Sequence, residues 1–156
     1  MIRPTQPSDT PALLAIAERT QVFKPHELIA LREVLDDFHE DGGEHQAYTF
    51  ESNGHIIGFV YFAPTSMTDR TWHLYWIFVD KKTHAKGIGT KLLKYVEEDI
   101  VRQGGRLFLI ETSSLPSYEP TRKFYLKHHY EQAAEIRDFY ADGDNQVIFR
   151  KHLAPV

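Results

Sequence analysis

Apolar positions along this 156-residue chain recur at two periods, near two and near 3.6 residues, and the switches between them predict alternating strands and helices. Met1 to Pro4 reads as a short strand. Ser8-Asp9-Thr10-Pro11 then reads as a cap with proline in the first turn, opening a helix to about Thr20. A second helix starts at Pro25 and carries Leu28, Leu31, Leu35 and Phe38 at helical spacing until the Asp41-Gly42-Gly43 break. Ala47 to Glu51 and His55 to Ala63 flank Ser52-Asn53-Gly54, whose residues tolerate positive φ, so the two runs read as an antiparallel hairpin. A loop from Pro64 to Arg70 leads into a strand from Thr71 to Asp80.

The helix that follows, to about Arg102, places Ile88, Leu92, Leu93, Val96 and Ile100 on one face, and Gly104-Gly105 ends it. That face is expected to pack on the sheet. Leu107-Phe108-Leu109-Ile110 is a continuous apolar run of the kind found in covered strands, so residues 72–112 read as a right-handed parallel crossover. Pro120 to His129 reads as a short helix. Glu131 to Tyr140 and Gln146 to Leu153 read as a final hairpin joined through Ala141-Asp142-Gly143-Asp144. No linker or repeat interrupts the series, and one domain over residues 1–156 is expected.

Composition narrows the chemistry. A hydrophobic content of 42%, with 13% aromatic residues, supplies one compact core. A formal net charge of −4 argues against a nucleic-acid partner bound through the whole surface. The absence of cysteine excludes disulfides, thiolate metal sites and a cysteine nucleophile. No apolar run reaches the length of about 18 residues that spans a bilayer, so no membrane partner and a cytoplasmic location are expected. The nine histidines do not suggest a metal: His128 and His129 are adjacent and point apart on a helix.

The most informative stretch is Lys86-Gly87-Ile88-Gly89-Thr90, where the Thr71–Asp80 strand hands over to the helix. Helix N-termini ordinarily attract acids, yet Lys81, Lys82, Lys86 and Lys91 crowd this one. A bound phosphate accounts for them. Glycines at 87 and 89 remove the Cβ atoms that would keep phosphate oxygens from the backbone N–H groups. A plain strand-to-helix turn is the other reading of a lone Gly-x-Gly. No P-loop pattern is present, and Leu92 stands where the dinucleotide fingerprint would need a third glycine.

Ile2-Arg3-Pro4 followed by a helix, a hairpin ending in Gly58-Phe59-Val60, the strand to Val79, the glycine turn, and Phe124-Tyr125-Leu126-Lys127 occur in an order that resembles the GNAT superfamily of N-acetyltransferases over nearly the whole chain. The resemblance implies a single-domain α/β (α+β) fold, with a central mixed sheet of six or seven strands flanked by about four helices. It implies acetyl-CoA as co-substrate and no metal. The superfamily's turn reads Gln/Arg-x-x-Gly-x-Gly/Ala; here it is His84-Ala85-Lys86-Gly87-Ile88-Gly89, with histidine in the first place. By resemblance, His84, Ala85, Lys86, Gly87, Ile88, Gly89 and Thr90 hold the pyrophosphate, and the main chain of Ile77, Phe78 and Val79 holds the pantetheine arm.

Direct transfer to a primary amine needs a proton donor for the leaving thiolate and a route for the ammonium proton. Tyr125 occupies the tyrosine of the superfamily's Phe-Tyr motif and is the candidate acid. Tyr118 stands where relatives often carry a supporting asparagine, and Tyr75 where many carry a basic glutamate. Glu111 is the candidate base, with His73 and a water chain as alternatives. Acids at the end of the second helix (Asp36, Asp37, Glu40, Asp41, Glu44) and in the last hairpin (Asp138, Asp142, Asp144) suggest a cationic acceptor, either a small-molecule amine or a protein amine. Solvated surface is the other reading of those acids. A homodimer is the oligomeric expectation, and a noncatalytic acyl-CoA-binding module is the second function class.

Overall fold

Two periodicities become two kinds of element in the computed structural model, which describes residues 1–83 and 87–153. In chain order these are β1 (Ile2–Pro4), α1 (Thr10–Arg19), α2 (Pro25–Asp41), β2 (Gln46–Ser52), β3 (His55–Pro64), β4 (Thr71–Val79), α3 (Ile88–Arg102), β5 (Leu107–Ser113), α4 (Glu119–Lys127), β6 (Glu131–Ala141) and β7 (Asp144–His152). The strands form a seven-stranded sheet in the order β1-β2-β3-β4-β5-β7-β6. β4 and β5 run parallel, as the α3 crossover between them requires, while the other assigned pairings are antiparallel. The mixed α/β architecture with four α-helices among the described residues is the one expected. The chain divides into two compact units, Met1–Ala63 with Trp76–Glu98, and Pro64–Tyr75 with the chain from Asp99 onward.

In the first unit, α1 and α2 bury Leu13, Ile16, Ala17, Leu31 and Leu35 against Phe59, Tyr61 and Phe78. Gly58 to Ala63 are buried without a break, as in a strand covered on both faces. A Cβ added at Gly58 would lie 3.0 Å from Leu92 Cδ1 and 3.5 Å from Ile88 Cγ2, so the glycine lets the start of α3 approach the backbone of β3. The apolar face predicted for α3 is the buried one: Ile88, Leu92, Leu93, Val96 and Ile100 are all core residues.

Asp9 corrects one expectation. It occupies the position before α1 but makes no side-chain cap. Its carboxylate accepts both arms of the Arg3 guanidinium, at 2.8 and 2.9 Å, and the Gln6 N–H at 2.8 Å. A bidentate charge-assisted pair outweighs a neutral cap, and it ties β1 to the start of α1.

In the second unit, Trp72, Leu74, Phe108, Ile110, Tyr125, Tyr130, Val147 and Phe149 form the core. Gly105 has no room for a side chain: a Cβ would fall 2.1 Å from Ile100 Cγ2 and 2.8 Å from Trp72 Nε1. The chain can therefore leave α3 and enter β5 directly against the indole. β7 inserts between β5 and β6, which makes β6 an edge strand with every residue exposed. Register shifts after Gln132 and after Ile136, with Asp138 at φ +56°, interrupt its ladder, a device that discourages pairing along a free edge.

Asp144 is the second correction. Expected in the exposed hairpin loop, it is the first residue of β7, buried, and its carboxylate accepts the Ser113 hydroxyl. It is not available to attract a ligand.

Burial would push the Asp9 carboxyl up, but the Arg3 guanidinium and the Gln6 amide outweigh it and hold the group below the usual carboxylate range. A carboxyl depressed in the folded state stabilises the fold above the ordinary value of about 4, and that stabilisation is lost as pH falls through the depressed value. Asp9→Asn should therefore cost about 2 kcal/mol at neutral pH and flatten the loss of stability below pH ~4. Urea melts of both proteins at pH 3 and pH 7 check this, and an unchanged acid limb would overturn it.

Candidate active site

The junction of β4 and α3 lies in the first unit. Phe78 is buried, packing edge-on against Phe23 with centroids 6.0 Å apart and against Phe59 at 5.3 Å, while Ile77 and Val79 are half-buried. The strand ends at Asp80, whose N–H donates to the Ile57 carbonyl at 2.7 Å. The Asp80 carboxylate accepts Arg19 Nη2 at 2.9 Å and the Lys82 N–H at 3.1 Å. The Arg19 hydrogen bond holds this carboxyl below the usual range. The acid closest in sequence to the turn is thus neutralised by its own partner and would not repel an anion there.

Gly87 lies at φ +81°, a left-handed conformation that a side chain would strain. Its carbonyl accepts the Lys91 N–H at 2.9 Å, closing the first turn of α3. Ile88 is buried and fixes the helix start, Gly89 and Thr90 are half-buried, and no acid stands in the first turn. A left-handed residue leading into right-handed helix aims successive N–H groups at one point, the geometry of an anion nest. His84, Ala85 and Lys86 lie outside the described residues.

The parallel ladder between β4 and β5 runs from Thr71↔Leu107 to Leu74↔Ile110 and stops, although β4 continues to Val79 and β5 to Ser113. Main-chain groups of β4 beyond Leu74 therefore stand outside the β5 ladder. Leu74 is buried, Tyr75 is exposed, and Trp76 packs on Phe23 with ring centroids 5.3 Å apart.

The titratable candidates lie in the second unit. Glu111, on β5, accepts Gln146 Nε2 at 3.0 Å on one oxygen and faces His73 Nε2 at 3.2 Å with the other. His73 Nδ1 lies 2.5 Å from the Thr65 hydroxyl. The Tyr75 ring stacks near the imidazole, with centroids 5.9 Å apart. Burial, and then the Glu111 charge, push the Tyr75 phenol up. The two side chains offered as alternative bases are thus neighbours, an imidazole nitrogen and a carboxylate oxygen 3.2 Å apart. Thr65 and Gln146 were missed, because their approach depends on strand neighbours that no local pattern reveals.

Tyr125 projects from α4 into an aromatic cluster, with ring centroids 5.9 Å from Tyr130, 5.6 Å from Phe149 and 5.6 Å from Phe124. Arg122 anchors the helix by donating from Nη1 to the carbonyls of Ser113, at 2.7 Å, and Leu115, at 2.9 Å. Burial pushes the Tyr125 phenol above its ordinary range, so it stays protonated at neutral pH. Its hydroxyl makes no hydrogen bond among the described residues. Tyr118 ends the short 3₁₀ turn just before α4.

Among the described residues no group of three or more His, Asp or Glu side chains could hold a metal ion. No helix among them is long and apolar enough to cross a membrane.

A left-handed glycine at a helix start, a strand that leaves its parallel neighbour, and a buried phenol are the features expected of a CoA-dependent acyltransferase. The acetyltransferase (GNAT) family model matches residues 12–130, and the chain belongs to that family. A GNAT-family protein of solved structure from Desulfovibrio desulfuricans shares 30% identity, with 99% of each chain covered and a TM-score of 0.93. The S-(2-succino)cysteine N-acetyltransferase of Bacillus subtilis is 28% identical over 117 residues, 70% of this chain and 68% of that protein. A shorter match, 29% over 68 residues, covers 44% of this chain and 44% of the uncharacterized N-acetyltransferase YsnE of the same organism. The protein is an N-acetyltransferase with acetyl-CoA as co-substrate and an amine as acceptor.

A phenol raised in the folded state stabilises the fold fully below about pH 10 and loses that contribution as pH rises through the folded value. In an alkaline titration followed at the tyrosinate absorbance band, Tyr125→Phe should remove a transition that appears only after the exposed tyrosines have ionised. Loss of an early transition instead would show an accessible Tyr125 phenol.

Proposed function

We propose that the protein acetylates a primary amine by direct transfer, with Tyr125 protonating the departing CoA thiolate and Glu111 receiving the ammonium proton. The observation that carries the CoA half of this reading is the left-handed Gly87 leading into an acid-free first turn of α3. Gly87, Ile88, Gly89 and Thr90 are assigned to the pyrophosphate, together with His84, Ala85 and Lys86. The main chain of Ile77, Phe78 and Val79 is assigned to the pantetheine arm, since β4 there has left its β5 ladder. The nest should tolerate the histidine at the first place of the turn, because the N–H groups that bind phosphate belong to the backbone.

An alkylammonium loses its proton near pH 10 to 11, so attack at neutral pH needs a group that draws the proton away as the bond forms. Glu111 is a charged acceptor with two fixed partners and a partly exposed carboxylate. Tyr125 supports the acid role through three properties: it is protonated, its ring is locked by packing, and its hydroxyl has no hydrogen-bond partner among the described residues. Those properties favour an enzyme over a noncatalytic acyl-CoA sensor, which has no use for a retained proton.

For the acceptor we favour a small molecule carrying a primary ammonium that pairs with Glu111. Asp36, Asp37, Glu40, Asp41 and Glu44 are exposed near the end of α2 and could add attraction for a cation. The B. subtilis relative is named for an amino-acid derivative, which makes α-amino acids the second class to assay.

If the glycine turn binds pyrophosphate, Gly89→Asp should abolish CoA binding in calorimetry while the protein stays folded by circular dichroism. Undiminished affinity would remove the assignment.

Thiol release from acetyl-CoA across a panel of polyamines, lysine peptides and α-amino acids provides the assay for the acid. Tyr125→Phe keeps the ring and its packing, so kcat should fall by roughly 10²-fold with the acetyl-CoA KM nearly unchanged. An unaltered chemical step in single turnover would make Tyr125 a packing residue.

A further inference from the structure

We infer that His73 is a positioning residue for the transfer reaction: it holds the Glu111 carboxylate in one orientation, and Thr65 fixes which of its ring nitrogens carries the proton. The inference rests on the assignment of Glu111 as the group that receives the amine proton. Four side chains from three neighbouring strands and the loop after β3 form one row: Thr65 hydrogen-bonds His73, the His73 imidazole faces Glu111 at 3.2 Å, and Gln146 hydrogen-bonds Glu111.

Strand order produces this row. β5 lies between β4 and β7 in the sheet, so Glu111 has a neighbour on each side. On the β4 side His73 is in register with Leu109, two residues before Glu111 and on the same face of a pleated strand. On the β7 side Glu111 is in register with Ile148, and Gln146 is two residues along. The buried Gln146 reaches one carboxylate oxygen and the imidazole reaches the other. Each oxygen then has one fixed donor and keeps a lone pair for the acceptor.

The tautomer follows from the row's two ends. A carboxylate only accepts, so the ring nitrogen facing Glu111, Nε2, must carry a hydrogen. Nδ1 then receives the Thr65 hydroxyl proton when the ring is neutral. Without that hydroxyl the ring can carry its proton on Nδ1 instead, turning a bare Nε2 toward the carboxylate, where two lone pairs repel. Thr65 thus acts on Glu111 through the imidazole.

The other groups near the carboxylate do not replace His73. Tyr75, on β4, has its phenol pushed up by partial desolvation and then by the Glu111 charge and stays neutral, and its ring stacks near His73. Arg150, on β7, is drawn to Glu131 on β6. Gln146 carries no charge, and Thr65 is neutral.

The test uses the full chain in the thiol-release assay. His73→Phe keeps a flat ring of similar size and removes both nitrogens, so kcat should fall about tenfold to a hundredfold, the range expected when a charge-assisted hydrogen bond is lost. The acetyl-CoA KM should hold. His73→Gln, which restores an N–H donor, should recover part of the lost kcat, and the near-isosteric Thr65→Val should give a smaller loss in the same direction.

A double variant separates this inference from the assignment beneath it. If His73 acts through Glu111, adding His73→Phe to Glu111→Gln should slow the enzyme little beyond Glu111→Gln alone. A wild-type rate in Glu111→Gln would overturn the base assignment and the positioning role with it. A slow Glu111→Gln beside a His73→Phe protein with unchanged kcat would overturn the positioning role alone. Additive losses in the double variant would give His73 an independent part and would also overturn it.

Discussion

Burial of one helical stripe governs the cofactor end of this protein. Ile88, Leu92, Leu93, Val96 and Ile100 leave water together on α3, and a fully buried aliphatic side chain contributes about 1.5–3 kcal/mol. Ile88 is both the first residue of that stripe and the first residue of the helix. Packing therefore fixes where the helix begins, and with it where the unpaired N–H groups of its first turn point. Gly58 lets α3 approach β3, and the left-handed Gly87 lets the chain turn into the helix without a Cβ in the way. The same packing leaves an acid-free first turn, and Arg19 neutralises Asp80, the acid before it, so the anion site proposed there would come as a by-product of the core.

What could be read from the sequence follows the range of the interaction that fixes it. Helix faces and hairpin turns depend on residues a few positions apart, so the α3 stripe, the Asn53-Gly54 turn and the Gly105 exit were all visible as pattern. Asp9 was visible only as a residue type suited to capping. Its use is decided by Arg3, brought over from β1, and a bidentate ion pair outcompetes the local option. Asp144 was misplaced for the same reason. The insertion of β7 beside β5 brings Ser113 to it and draws the acid out of the loop.

The site divides along the same line. The glycine turn was legible because the left-handed Gly87 and the helix start that follows it lie in one short segment. The chemistry at Glu111 was only half legible: a carboxylate at the end of a strand marks itself, but its partners come from strands on either side. His73 and Glu111 are 38 positions apart in the chain and looked like competing bases until strand order made them neighbours. Gln146 left no signal, since an amide in a strand has many ordinary uses.

Exposure sharpens the contrast between the acid and base candidates. Tyr125 is held by aromatic packing, so its proton is retained by the cost of charging a buried phenol. Such a group keeps its proton at neutral pH and can offer it as a hydrogen bond to negative charge that develops beside it. Glu111 is held by a hydrogen bond from Gln146 on one oxygen and by the His73 imidazole facing the other, and it remains partly open to water, so a proton taken up there could leave again. A direct transfer needs both kinds of group, one reluctant to ionise and one able to exchange. The chain builds the first from an apolar cluster around α4 and the second from polar side chains across three strands.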